Sequence, residues 1–302
     1  MADPIVYRYG QHTATLYLED CIAGMSRQLR PGSVDVVVTS PPYNIGSRYG
    51  QYDDTQPRAQ YLDWLEEWGR AVSAVLAEQG SVFLNIGSKP SDPWVPLEVL
   101  FRLRQHFVLQ NVIHWIKSVA IDREEVGRET GISGNLAVGH YKPINSKRFV
   151  NDCHEYIFHL TKTGGVELDR LAVGVEYQDK SNQKRWGGRD RRCRGNTWFV
   201  PYKTIRSRQQ DRPHPATFPI KIPRMCIQLH GRERTRLVLD PFLGLGHTAL
   251  ASRELGVDFA GFEIDPEYLA EAGRLLQSQA PGRKRPRAKG TPSLFDGDQP
   301  NG

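Results

Sequence analysis

The period of apolar positions changes repeatedly along the chain, and each change marks an element. Residues 14–18 (ATLYL) alternate as a short strand does, then give way to a helical stretch with Ile22, Met25 and Leu29 on one face. After the turn at Pro31-Gly32, the run to Thr39 is apolar on both faces, as in a parallel strand covered by helices on each side. Tyr61, Trp64, Leu65, Trp68, Val72, Val75 and Leu76 recur at helical spacing within 58–80, which predicts a helix with its aromatics in the core and Gly80 as its stop. Residues 81–87 read as a buried strand, 92–107 as a helix, and 108–118 and 154–163 as strands. Residues 119–150 show no clear period and predict a long loop, and 164–212 breaks the alternation. The pattern resumes with a helix over 222–231 and a strand over 236–240. A glycine turn, helix, strand, acidic turn and final helix follow. Strands alternating with helices predict an α/β fold, a Rossmann-like, doubly wound and mostly parallel sheet.

Composition narrows the class. A chain of 302 residues can bury a substantial core as one large or two modest domains. No apolar run approaches the roughly 20 residues of a membrane span, and the N-terminal stretch lacks the form of a signal peptide. A soluble, cytoplasmic protein is expected. Cys21, Cys153, Cys193 and Cys226 are scattered without metal-ligand or disulfide spacing, so no metal site is expected. The Pro-, Gly- and Lys/Arg-rich residues 281–302 are expected to be a disordered basic tail.

Charge is unevenly spread. Residues 180–236 carry 16 Lys/Arg against Asp190, Asp211 and Glu233, a local net charge of +13 in a chain whose total is +6. Trp186, Trp198, Phe199 and Tyr202 are interleaved with them. Planar cations mixed with aromatics suit phosphate and base contacts, so this tract predicts a polyanion-binding surface.

A second stretch carries cofactor chemistry. Strand 236–240 ends at Asp240, and Gly244-Leu-Gly246-His-Thr248-Ala opens a helix in the G-x-G-x-x-[GA] form, where glycines let backbone approach a ligand at the sheet's carboxyl edge. Glu263 ends the next strand, 19 residues after Gly244, placed to accept hydrogen bonds from a ribose diol. NAD and S-adenosyl-L-methionine compete for such a site. A diphosphate on the helix N-terminus would be repelled by Asp240, whereas a cationic amino acid moiety would be attracted, which favours S-adenosylmethionine. Helix-capping roles for Asp240 and for Asp265 before Pro266 remain open.

The valine strand runs into Thr39-Ser40-Pro41-Pro42-Tyr43-Asn44. This segment, followed by GSRYGQYDD, HPATFP, LDPFLGLGHTA and GFEIDPEY, resembles the beta-class amino-group DNA methyltransferases of restriction–modification systems. The resemblance covers residues 12–278, and Ser at position 40 is the form usual in cytosine-N4 enzymes. It implies the S-adenosylmethionine-dependent methyltransferase fold with an inserted target-recognition region. The domains would be a catalytic half over 1–163, the target-recognition region over 164–212, the cofactor half over 213–280 and the tail.

The implied reaction is methyl transfer to the N4 amine of cytosine in duplex DNA, with the base flipped out of the helix. Adenine-N6 chemistry is one alternative and a catalytically silent DNA-binding module another. In the catalytic motif the Ser40 hydroxyl and Pro41 carbonyl would accept from the amine, Pro42 would stiffen the loop and Tyr43 would stack on the base. No cysteine follows a proline, which argues against carbon-5 methylation. The resemblance assigns the cofactor to Asp20, Cys21, Pro215, Thr217, Phe218, Asp240, Phe242, Gly244, Gly246, Thr248, Glu263 and Asp265. It assigns DNA contacts to Lys184, Arg185, Arg189, Arg191, Arg192, Arg194, Lys203, Arg206 and Arg208. It also implies a companion restriction endonuclease as partner. TPSLFDG (291–297) loosely resembles a sliding-clamp-binding peptide, with Thr291 where that peptide prefers Gln.

Overall fold

A computed structural model describes residues 3–47, 49–127, 132–139, 145–181, 187–188, 190–201 and 218–278. In chain order, strands β1 (Ile5–Tyr9) and β2 (His12–Leu18) precede helix α1 (Cys21–Gln28), strand β3 (Val34–Thr39) and helix α2 (Arg58–Val75). Strand β4 (Leu76–Ile86), helix α3 (Val95–Leu103), strands β5 (Val108–Ile116), β6 (Ser118–Ile121), β7 (Leu136–Gly139), β8 (His154–Thr161) and β9 (Thr197–Phe199) follow. Helix α4 (Lys221–His230), strand β10 (Leu237–Asp240), helix α5 (His247–Leu255), strand β11 (Asp258–Glu263) and helix α6 (Pro266–Ser278) complete the order.

Nine strands form the central sheet in the order β1-β2-β11-β10-β3-β4-β8-β5-β9. The five strands from β2 to β4 are parallel neighbours, as expected, while β1 and β8 pair antiparallel with theirs. Each face is covered. Val36 and Val38 join a cluster with Ile222, Cys226, Ala249 and Leu269, whereas Val37 joins one with Met25, Leu65, Trp68 and Val99. A strand apolar on both faces is thus buried by α4–α6 on one side and α1–α3 on the other. Asp35, 8 % exposed, is satisfied by accepting the Arg236 and Leu237 amides at 2.8 and 3.0 Å, which ties β3 to β10.

Several expectations need correction. Helix α2 stops at Val75 and not at Gly80, because Leu76 already pairs with Val34; the register shift between Val34 and Val36 accommodates Ala77–Gly80 within β4. The stretch expected to be a long loop contains the β6–β7 ladder. β1 lies at the sheet edge, with Ile5 and Val6 exposed, and its alternation was too weak to be read. Trp198 is 1 % exposed: β9 pairs in parallel with β5, so this ring belongs to the core and not to a basic surface. Among the described residues no helix is long and apolar enough to cross a membrane.

Candidate active site

Neighbouring strands β3 and β10 lead to crossovers on opposite faces, so a crevice opens at their carboxyl ends, where ligands bind in sheets of this kind. Asp240 closes β10 there. It is 1 % exposed; Oδ1 accepts from Thr39 Oγ1 at 2.6 Å and the Phe242 amide at 3.1 Å, and Oδ2 from Thr248 Oγ1 at 2.7 Å. Desolvation outweighs these bonds and pushes the carboxyl up to about 7. Glu263, at the end of β11, accepts from the Gly244, Ile264 and Asp265 amides at 2.8, 2.9 and 3.0 Å, and burial raises it as well.

Asp20 and Asp265 are helix caps, accepting from Ala23 and Glu267 amides at 3.0 and 2.8 Å, yet both also face the crevice. The cavity, roughly 1010 Å³ with its open mouth, is lined by these four acids together with Cys21, Phe218, Phe242, Gly244, Ser40 and Pro42 from the sequence assignment. Among the described residues none of the four carboxylates has an ion-pair partner. Such a lining suits a cationic ligand better than an anionic one. Phe242 sits 5.5 Å from Trp64 and 5.8 Å from Trp68, centroid to centroid, giving the cavity an aromatic wall.

Gly246 and Thr248 stand behind this wall. Gly246 has φ +80°, and a Cβ there would lie 2.8 Å from that of Ala272, so its role is close approach of α5 and α6. Thr248 is fully buried and holds Asp240 in place. Pro215 and Thr217 fall outside the described residues, as do Lys184, Arg185, Arg189, Lys203, Arg206, Arg208 and the tail peptide.

The Ser40-Pro41-Pro42-Tyr43 motif leaves β3 and turns beside the same cavity, which Ser40 and Pro42 line. Tyr61 Oη donates to the Pro42 carbonyl at 2.7 Å, anchoring the diproline to α2, and Pro41 is buried. Asn44, at φ +56°, starts a loop pinned by the 2 % exposed Asp54, whose carboxylate accepts from the Asn44, Ile45 and Ser47 amides at 2.7, 3.1 and 2.8 Å. Arg58 reinforces it, donating from Nε to Asn44 Oδ1 at 2.8 Å and pairing with Asp92 and Glu98.

The Tyr43 ring, 8 % exposed, packs in the core on the α2 side; its hydroxyl meets Ser40 Oγ at 2.8 Å, Asn85 Nδ2 at 2.7 Å and Glu155 Oε2 at 3.1 Å. The ring expected to stack on the base is thus buried in the core and does not line the cavity, while its hydroxyl supports Ser40.

Residues 49–52 lay within the resemblance without any assigned role, and Tyr49, Gln51 and Tyr52 now line the cavity. Gly50 rests so near Asp265 that a Cβ would stand 2.1 Å from Oδ2, which favours a glycine after Tyr49. Trp64, expected in the core, is half-buried and faces the cavity, as do Glu19 and His247. Nothing in the chain's pattern pointed to Asn85 or Glu155.

Parts of the basic tract are internally engaged. Arg191 donates to the Leu171 and Ala172 carbonyls at 3.1 and 3.3 Å, and Arg194 Nε to that of Val173 at 2.9 Å. Arg232 and Arg234 likewise tie down carbonyls of Leu255, Gly256 and His230. Arg191 and Arg192 remain exposed.

A family model described as DNA methylase, covering N6 and N4 methylation, matches residues 34–274. The chain belongs to the N6/N4 DNA methylase family. It is 29 % identical to the Type II methyltransferase M.BglII of Bacillus subtilis, over 89 % of this chain and 70 % of that protein. Its identity to M.ScaI of Streptomyces caespitosus is 30 %, over 82 % and 76 %. The DNA adenine methyltransferase YhdJ of Escherichia coli is 25 % identical over 89 % and 84 %. In fold this DNA methylase resembles the cytosine-N4-specific PvuII DNA methyltransferase, with TM-score 0.60 and 20 % identity over 86 % of this chain and 85 % of that one. It also resembles the M1.HpyAVI–SAM complex, with TM-score 0.52 and 17 % identity over 87 % and 100 %.

Proposed function

We propose that this DNA methylase transfers the methyl group of S-adenosylmethionine to the exocyclic N4 amine of cytosine in a specific duplex sequence. One observation carries the reading: among the described residues, four carboxylates without an ion-pair partner line a cavity that Ser40 lines as well. When bound, S-adenosylmethionine supplies a methyl group activated by a sulfonium centre. Asp240 would hold its cationic end, Glu263 its ribose, and Phe242 with Trp64 an apolar surface; Gly244 leaves the backbone open to it. The donor set fits a cationic, hydroxyl-bearing ligand and disfavours a diphosphate.

Ser40 faces the acceptor. An exocyclic amine is a weak nucleophile because its lone pair is drawn into the ring, and hydrogen-bond acceptors on its N–H groups favour the pyramidal form whose lone pair points outward. Ser40 is held in place by the Tyr43 hydroxyl, and the diproline is anchored through Tyr61, so the wall needs little rearrangement during reaction. The target base would enter by flipping from the duplex. Arg191 and Arg192, with the remaining basic tract, would bind phosphates. A nuclease cutting the same sequence when unmethylated is the partner this reading implies.

The deciding experiment is transfer of labelled methyl from S-adenosylmethionine to mixed genomic DNA, followed by nucleoside mass spectrometry. Label in 4-methylcytosine is the expected result. Label in 6-methyladenine would replace the base while keeping the reaction, and no transfer to any DNA would leave a binding module.

A further inference from the structure

Behind Ser40 runs a hydrogen-bonded chain that ends on a charge. Glu155, at the start of β8, has its Oε2 3.1 Å from Tyr43 Oη and 2.7 Å from Asn85 Nδ2, and its Oε1 3.1 Å from Lys117 Nζ. Asn85 Nδ2 also reaches Tyr43 Oη at 2.7 Å, and Tyr43 Oη lies 2.8 Å from Ser40 Oγ. The polarity of this chain follows from its end. An ionised carboxylate only accepts and an ammonium only donates. Tyr43 has one hydrogen, and the carboxylate takes it. The Tyr43 oxygen must then accept, from Asn85 on one lone pair and from Ser40 on the other. Ser40 has spent its hydrogen on Tyr43 and shows only lone pairs to the cavity.

Asn85 supports this. It is 2 % exposed and gives both N–H groups to Tyr43 and Glu155, while its buried Oδ1 has no hydrogen-bond partner among the described residues. An orphaned carbonyl is a cost that a residue placed only for packing would not carry.

We infer that Glu155, acting through Tyr43, sets Ser40 as an obligate acceptor for the target amine and receives the proton that methylation releases. This rests on the methyltransferase reading above. As the new N–C bond forms from the nitrogen lone pair, the S–C bond breaks and its electron pair stays on sulfur. The nitrogen then sheds one hydrogen as a proton to Ser40, Ser40 passes its own to Tyr43, and Tyr43 passes its own to the carboxylate. No other reactant is needed. Glu155 is a positioning residue in this scheme; Ser40 touches the substrate. The chain also rejects a base with a carbonyl in place of the amine, since two acceptors would face each other.

The test uses the full-length protein and duplexes carrying its mapped methylation site. In Glu155→Gln, Lys117 holds the amide oxygen toward itself and the amide nitrogen faces Tyr43 and Asn85, so the anion that fixed the polarity of the chain is gone and Ser40 is free to turn its hydrogen to the cavity. Cofactor affinity by calorimetry is expected to stay unchanged while single-turnover transfer falls roughly 100-fold, as for loss of a proton-transfer partner. Wild-type protein should bind a target amine (cytosine or adenine) over the matching carbonyl base (uracil or hypoxanthine) by about tenfold or more, and Glu155→Gln should bring that ratio near one.

Tyr43→Phe, which breaks the chain without touching the carboxylate, should lose transfer equally, and the double variant should be no slower than either single one. Wild-type rate and base preference in Glu155→Gln would overturn the proposal. So would a loss of transfer that follows cofactor affinity with the base preference intact, which is the mark of a merely structural residue. A wild-type protein that methylates no DNA would instead remove the methyltransferase reading, and this proposal with it.

Discussion

At the residue scale, Asp240 holds the sharpest conflict between stability and function. Its carboxyl is buried, without a cation, and titrates near 7 instead of at the ordinary 3.8. Because the folded value is raised, the group favours the fold below pH 4 and loses that contribution as pH climbs through 7, an effect of about 4 kcal/mol. Asp240→Asn should therefore melt higher than wild type at pH 8 in the absence of cofactor, since Thr248 can turn to accept from the amide and donate to the Val38 carbonyl 3.4 Å away. The same variant should bind S-adenosylmethionine too weakly for calorimetry to detect. For wild type, a bound cation lowers the carboxyl, so cofactor affinity should rise with pH between 6 and 8. Asp54 offers a second case. Asp54→Ala leaves three amides of the motif loop without their acceptor. A loss of about 2 kcal/mol or more in denaturant unfolding is expected, with transfer falling further than cofactor binding.

At the scale of elements, β4, β8 and α4 are joined by a buried polar bridge. Ser81 Oγ lies 2.9 Å from both His159 Nε2 and His230 Nδ1, and Asn111 Nδ2 is 2.9 Å from His159 Nδ1. Burial pushes His159 down to about 3 and His230 to about 4, so both rings are neutral in the fold. Depressed folded values mean that stability is complete above pH 6.5 and declines as pH falls toward 4. At pH 5 each imidazole should cost about 2 kcal/mol, so urea unfolding at pH 7 and pH 5 should show a clearly lower midpoint at pH 5. This bridge was invisible in the chain, because a histidine inside HEYIFHLT reads simply as one polar position among apolar ones. The elements themselves were largely legible from period. Val36 to Val38 announced a strand covered on both faces, and Asp240 with Gly244 announced the crevice. What escaped were features decided by distant partners: the halt of α2 at Val75, imposed by Leu76 pairing with Val34, and the entry of Trp198 into the core through β9. Glu155 and Asn85 reach Ser40 only through the sheet order, which no local pattern encodes.

At the scale of the whole molecule, the DNA contact proposed for the basic tract makes affinity depend on salt. If about six phosphates are neutralised, raising salt from 50 to 200 mM should weaken binding roughly 1,000-fold, as a titration of labelled duplex would show. A shallow salt slope would place the DNA elsewhere. The sheet order carries a consequence for how the protein comes to exist. β2 and β3, both made within the first forty residues, never pair with each other; the space between them is filled by β10 and β11, from residues 237–263. During synthesis the early strands must wait, with open parallel edges, for the last part of the chain to emerge. Such long-range pairing folds slowly, and edges of this kind invite association with other chains. A ribosome stalled before residue 237 would thus carry the Ser40 loop without Asp240 and Glu263 beside it, on a nascent chain that can neither methylate DNA nor close its own sheet.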